Sequence, residues 1–170
     1  MTKRPVVRVV VSAVVAILLG SGVGLAQSGN CGREGTWFGE GDSGITWMAT
    51  DTRGANATVG QFDIEWVSID PTLGNFFPTS VRVTGAKGVW KKVTQRKYKY
   101  TWVAYGVAAD NSLVVVARAS GFAILAGCNR ANLTYTLEFF DPAQNIWTDQ
   151  PGFTATGTAV EKRMPLVVVH

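Results

Sequence analysis

Few side chains in this 170-residue sequence are suited to chemistry. Its one histidine, His170, is the last residue, so no histidine-based triad can be assembled. Two cysteines, Cys31 and Cys128, have no histidines at ligand spacing, and no metal is expected to bind. Carboxylates remain for acid–base work. Asp63, Glu65 and Glu138 fall on the polar side of alternating stretches. Asp42, Asp51, Asp70, Asp110, Asp141 and Asp149 sit in turn-like stretches, where aspartate bonds its own backbone. Glu34 and Glu40, flanking the first alternating stretch, are the carboxylates that could meet, at a barrel mouth. No phosphate loop or nucleophile elbow appears. The reading assigns no catalytic residue, metal or cofactor, and an enzyme is the lesser alternative.

Basic residues offer recognition instead. "KGVWKKVTQRKYKYTWVAYG", Lys87 to Gly106, interleaves lysines with aromatics. Strand-based nucleic-acid binders expose rings on which bases stack. Here Tyr98, Tyr100 and Trp102 share one face of the alternation, while Lys97, Lys99 and Thr101 share the other. Rings that face inward cannot reach a base, so no nucleic-acid partner is expected. A basic exterior would suit acidic polysaccharide, envelope or lipid headgroups by charge density alone. Arg118 interrupts the apolar run "LVVVARASGFAILA". It is either an outward arginine laying its stem on the wall or an inward one that caps a buried Trp or holds a ligand carboxylate.

The first 26 residues read as an export signal. Lys3, Arg4 and Arg8 precede a long apolar run that ends in Gly24-Leu25-Ala26, with cleavage expected after Ala26. Once it is removed, no stable membrane insertion is expected, and the protein is placed outside the cytoplasm, secreted or periplasmic. The whole chain has 16 basic and 12 acidic residues, and three of the basic ones lie in the signal. The remaining chain is close to neutral, which removes the charge argument for nucleic acid. In an oxidising compartment Cys31 and Cys128 are expected to form one disulfide.

Elements follow from period-two patterning. Phe62, Ile64 and Trp66 oppose Asp63 and Glu65; Leu133, Tyr135, Leu137 and Phe139 alternate with Asn132, Thr134, Thr136 and Glu138. Strands are expected near 36–40, 44–51, 61–69, 79–85, 88–94, 97–108, 112–126, 132–140 and 152–162. Turn-forming Gly, Asp, Asn and Pro separate them, and no helix is expected. Eight or nine strands at short spacing predict an all-β, antiparallel up-and-down barrel. The expected organisation is a 27–34 N-terminal segment, one barrel domain over 35–162 and a 163–170 tail.

Gly35-Thr36-Trp37, after a cysteine and before a strand meander, resembles the opening of lipocalins and other calycins. The resemblance implies a barrel with that Trp at its floor, and an arginine stacked on it, for which Arg118 and Arg163 are candidates. "TGAKGVWKKV", "YKYTWVAYGVAADNSL" and "TLEFFDPAQN" resemble an uncharacterised family of exported barrels with Gly-x-Trp strands. The late Thr-Asp-Tyr turn of lipocalins is missing, so the resemblance carries over the barrel and not a ligand.

The expected function is non-enzymatic binding of a small hydrophobic or amphipathic ligand, with Trp66, Tyr98, Tyr100, Trp102 and Arg118 as binding residues. Many bulky residues are assigned inward, Val81 and Val83 among them. That leaves open a surface structural or interaction protein with a filled barrel. An isomerase or cyclase like the allene-oxide-cyclase group is the third alternative, on fold analogy alone.

Overall fold

A computed structural model describes residues 31–165. The expected export signal (1–26) and His170 lie outside the described residues. Nine strands run along the chain: β1 Gly35–Gly41, β2 Thr46–Arg53, β3 Val59–Ser68, β4 Arg82–Val83, β5 Ala86–Lys92, β6 Lys97–Val107, β7 Leu113–Leu125, β8 Arg130–Phe140 and β9 Phe153–Arg163. Eight of them close into a ring, β1-β2-β3-β5-β6-β7-β8-β9 and back to β1, and every neighbouring pair is antiparallel. Closure leaves the ring without an unpaired edge. Among the described residues no helix is present that is long and apolar enough to cross a membrane.

The alternation located these eight strands to within two residues. The expected strand over 79–85 is the exception. It shrinks to β4, whose two residues pair only with the end of β6. Val81, assigned inward, is 56% exposed. The chain there is occupied instead by a long connection, residues 69–81.

Inward residues form one core. Trp37, Trp47, Phe62, Ile64, Trp90, Tyr98, Tyr100 and Leu133 are all buried in it. So many large rings fit because several face a glycine directly across the sheet. Trp90 pairs in register with Gly60, and a Cβ on Gly60 would lie 2.3 Å from that indole. Phe62 pairs likewise with Gly88, where a Cβ would lie 2.3 Å from the phenyl ring. Large opposite small is how a narrow barrel accommodates its taper.

The floor end is clasped. Cys31 and Cys128 are joined by a disulfide that ties the segment before β1 to the β7–β8 turn. Beside it, Arg163 at the end of β9 donates to the carbonyls of Cys128, Glu34 and Gly32 at 2.9, 2.7 and 2.5 Å. Its guanidinium lies 4.6 Å from the centroid of Trp37, which is fully buried. Of the two expected candidates Arg163, not Arg118, stacks on the floor Trp, and Arg33 lies over the same ring at 5.0 Å.

Candidate ligand cavity and its charged floor

Walls come first. The strands aim Trp47, Trp66 and Trp102 into the upper lumen, where their rings meet edge to face at 6.5 and 5.5 Å. Below them Tyr100 packs on Phe62 and Tyr98 on Trp90 in the same geometry, at 6.3 and 5.5 Å. Polar tips are mostly satisfied by the frame, which leaves ring surface for the lumen: Trp66 Nε1 donates to Thr84 O at 2.7 Å and Tyr100 Oη to Thr134 O at 3.3 Å. The rings do not fill the space. They enclose a cavity of about 90 Å³ whose lining includes Trp66, Tyr98, Tyr100 and Trp102. Four of the five expected binding residues thus meet in one place.

Arg118 is the fifth, and it is on the other side of the wall. Its neighbours Ala117 and Ala119 point inward, so strand alternation sends Arg118 out. There its Nε and Nη2 each lie 2.9 Å from Glu138 Oε2, Nη1 donates to Ile146 O, and the guanidinium faces the rings of Phe140 and Trp147. The outward alternative is correct, and Arg118 cannot hold a ligand carboxylate in the lumen.

The lysines of the Lys87–Gly106 stretch also follow the alternation. Lys91 and Lys99 are opposite each other on the exposed outer face, and Lys97 Nζ sits 4.0 Å from the centroid of Phe122. Of the rings on the same strands, Trp90, Tyr98, Tyr100 and Trp102 face the lumen and Tyr105 lies on the outer face.

Glu34 and Glu40 do not meet. The length of β1 separates them, Glu34 accepting from Arg53 Nε at 2.6 Å near the floor and Glu40 lying exposed near the other end. A different carboxylate pair does meet. Asp51 closes the inward series Trp47, Ala49, Asp51 of β2, and Glu161 continues the inward series from Ala159 in β9. Both grip Arg33 from the segment before β1: Arg33 Nε lies 3.1 Å from Asp51 Oδ1, and Nη1 pairs with Glu161 Oε2. All three are buried, and they are the charged residues lining the cavity. Asp51, the last residue of the expected 44–51 strand, reads from sequence as a turn former, but it lies inside β2. The period-two signal would have found Asp51 had it been followed to the strand end.

Electrostatics of this floor are lopsided. Burial opposes the charge on Arg33, but Glu161 and Asp51 more than reverse that and keep it firmly protonated. Asp51 is pushed up to about 7, chiefly by burial, with Arg33 pulling down and Glu161 pushing up. Trp47 Nε1 donates to Glu161 Oε1 at 3.0 Å. Asp51 Oδ2 and Trp90 Nε1 are buried without a hydrogen-bond partner. The floor can therefore take up or release a proton near neutral pH, and it presents one free acceptor and one free donor.

A pH effect on stability follows. A carboxyl with a raised folded-state pKa binds its proton more tightly folded than unfolded, so its contribution falls as pH rises from the unfolded value towards about 7. Compared with Asp51→Asn, the wild type should lose on the order of 2 kcal/mol between about pH 5 and pH 7. Urea unfolding of both proteins across that range checks it; parallel pH profiles would contradict it.

The mouth is crossed by residues 69–81. β3 and β8 stand opposite each other in the ring, and this connection leaves β3, reaches the far wall and returns to β4. Ile69, Pro71 and Leu73 line the cavity from above. Phe76 stacks on Phe153 at 4.4 Å and Phe77 meets Phe139 at 5.3 Å. Asp70 holds the first turn by accepting from Thr72 N and Oγ1 and from Gly74 N. Leu73, at φ 49°, takes a left-handed backbone that an ordinary side chain adopts at a cost of roughly 1 kcal/mol. Sequence reading took only the end of this segment for a strand and missed the cap.

No protein-family profile matches the chain, and no curated protein does. Among solved structures it is similar to the X-ray structure of a biotin-binding protein from chicken, with 12% identity, coverage of 80% of this chain and 98% of that one, and a TM-score of 0.46.

Proposed function

We propose that this is an exported single-domain barrel that binds one small, largely apolar molecule in its lumen, without catalysis. The supporting observation is that the aromatic walls surround an open space instead of filling it. Few polar groups among many rings suit an apolar or planar guest. Export is supported by the leader-like first 26 residues and by the Cys31–Cys128 disulfide.

Size narrows the class. A cavity of roughly 150 Å³ holds a benzene ring, and this one is about 90 Å³. The space is thus smaller than a benzene guest needs, and ring-sized molecules fit only as the cap or the wall rings give way slightly. Retinoids and long acyl chains would require residues 69–81 to lift.

Four of the six tryptophans line the cavity, so their fluorescence reports occupancy. Titration with toluene, benzyl alcohol and indole should give a saturable change, and Trp66→Leu should weaken it. Arg118→Ala should titrate like wild type, because Arg118 is outside. A panel with no saturable response would remove this reading. The interaction-protein alternative would then lead, favoured by apolar side chains exposed around the mouth, including Phe76 at 61% and Trp147 at 67%.

A further inference from the structure

Resting on the lumen-binding reading, we infer that the cavity selects a cationic head: a small protonated amine carrying a ring, nitrogen down against Asp51 and ring up against the indoles of Trp66 and Trp102. This reverses the preference for an anionic end that an inward Arg118 would have conferred.

Among the residues that line the cavity, Arg33, Asp51 and Glu161 bring one positive and two negative groups when all are ionised; Arg163, which does not line it, is spent on three carbonyls. Arg33 is shared by both acids, through Nε and Nη1, so its charge is already matched before a guest carboxylate arrives. Glu161 is claimed twice, by Arg33 and by the indole of Trp47. Asp51 is not. Its Oδ1 meets Arg33, while Oδ2 has no partner although the side chain is wholly shielded from solvent. A buried carboxylate oxygen left without a donor is costly, and a charged donor compensates it best. The cavity that reaches Asp51 is the same one walled by rings.

Those rings favour the same guest. Tryptophan and tyrosine faces attract cations and repel anions, and no basic residue other than Arg33 lines the cavity. An amine that displaces the contacts now shielding Oδ2 therefore meets an acceptor below and π-faces beside it. A carboxylate of the same size meets the unpaired oxygen of Asp51.

The groups facing Asp51 are Arg33 from the segment before β1, and Glu161 and Arg163 from β9. The arginines stay charged throughout the neutral range. A proton on Asp51 competes with the amine, and its raised affinity for protons makes that competition visible just below neutrality.

Three ligands of nearly equal shape test this: benzylamine, benzyl alcohol and benzoate, each titrated against the purified wild-type protein by calorimetry and tryptophan fluorescence. At about pH 8.5 benzylamine should bind about tenfold or more tighter than benzyl alcohol, the difference of a charged buried hydrogen bond, and benzoate weakest. At about pH 5.5 the amine-to-alcohol ratio should shrink as Asp51 takes its proton. Asp51→Asn should bring that ratio to within about threefold at either pH, since a neutral amide no longer distinguishes the two heads. Equal binding of amine and alcohol by the wild type overturns the inference and leaves lumen binding standing. Tighter benzoate also overturns it. Binding of none of the three removes both. The wild-type series decides the matter even if the variant does not fold.

Discussion

Replacing Arg33 with methionine should cost the fold about 3–5 kcal/mol at neutral pH, which is what removing one partner of a buried ionic cluster costs. The loss is not that of a contact but of compensation. Asp51 and Glu161 would remain in a space closed by Trp37 and the disulfide, facing each other with no cation between them. Two further results separate this cause from a simple packing defect. Arg33→Met should recover stability as pH falls, because protonation neutralises the stranded acids. The combined Arg33→Met, Asp51→Asn, Glu161→Gln protein should regain most of what the single variant loses, since a neutral floor has no charge to bury. Glutamine keeps an oxygen for the Trp47 indole. Chemical unfolding of the three proteins at two pH values measures all of this. A single variant within 1 kcal/mol of wild type would show that water reaches the floor and screens it.

Removing the disulfide is the second large effect. Cys31 and Cys128 are 97 residues apart in sequence, with Cα atoms 5.0 Å apart. Loop-closure entropy for such a separation is worth about 4–5 kcal/mol, less any native-state strain. Cys31→Ser with Cys128→Ser should therefore lower the melting temperature by about 10–15 °C. Reductant should lower the wild type by a similar amount and leave the double variant unchanged. Part of the loss is local. The bridge fixes the segment that carries Arg33 and Glu34, and Arg163 uses the carbonyl of Cys128 itself. Equal melting of the two proteins would mean that the three bonds of Arg163 hold the floor without the bridge.

Where sequence and structure agree, the reason is the regular face alternation of exposed strands. Trp66, Tyr98, Tyr100 and Trp102 alternate with polar residues and could be placed inward without coordinates. Where they part, the alternation is masked or stops short. Around Arg118 both faces of the wall are apolar, because Val116 and Phe140 on the outer side are also buried. A run apolar on both faces carries no parity, so Arg118 could be read either way. Asp51 and Glu161 were lost differently. Asp51, near the end of its strand beside loop residues, reads as a turn former; Glu161 lies inside the expected 152–162 strand, where small and polar residues give no clear inward face. The glycines were a third omission. Counting the rings suggested a filled lumen, but Gly60 and Gly88 lie opposite two of them and restore the room. The cap over the mouth has no period at all; it is held by Asp70, by a left-handed turn and by ring stacking, none of which repeats along the chain.

That cap has a consequence for traffic. The eight strands are paired all the way round, and the floor is shut by Trp37, two guanidinium groups and a covalent bridge. Among the described residues, the span between Ile69 and Val81 is the stretch across the mouth that can yield without breaking the ladder. Any guest must enter and leave by the same door, so passage in both directions is timed by how often Phe76 and Phe77 leave Phe153 and Phe139. Guests of very different affinity would then share a similar speed of entry and differ mainly in how long they stay.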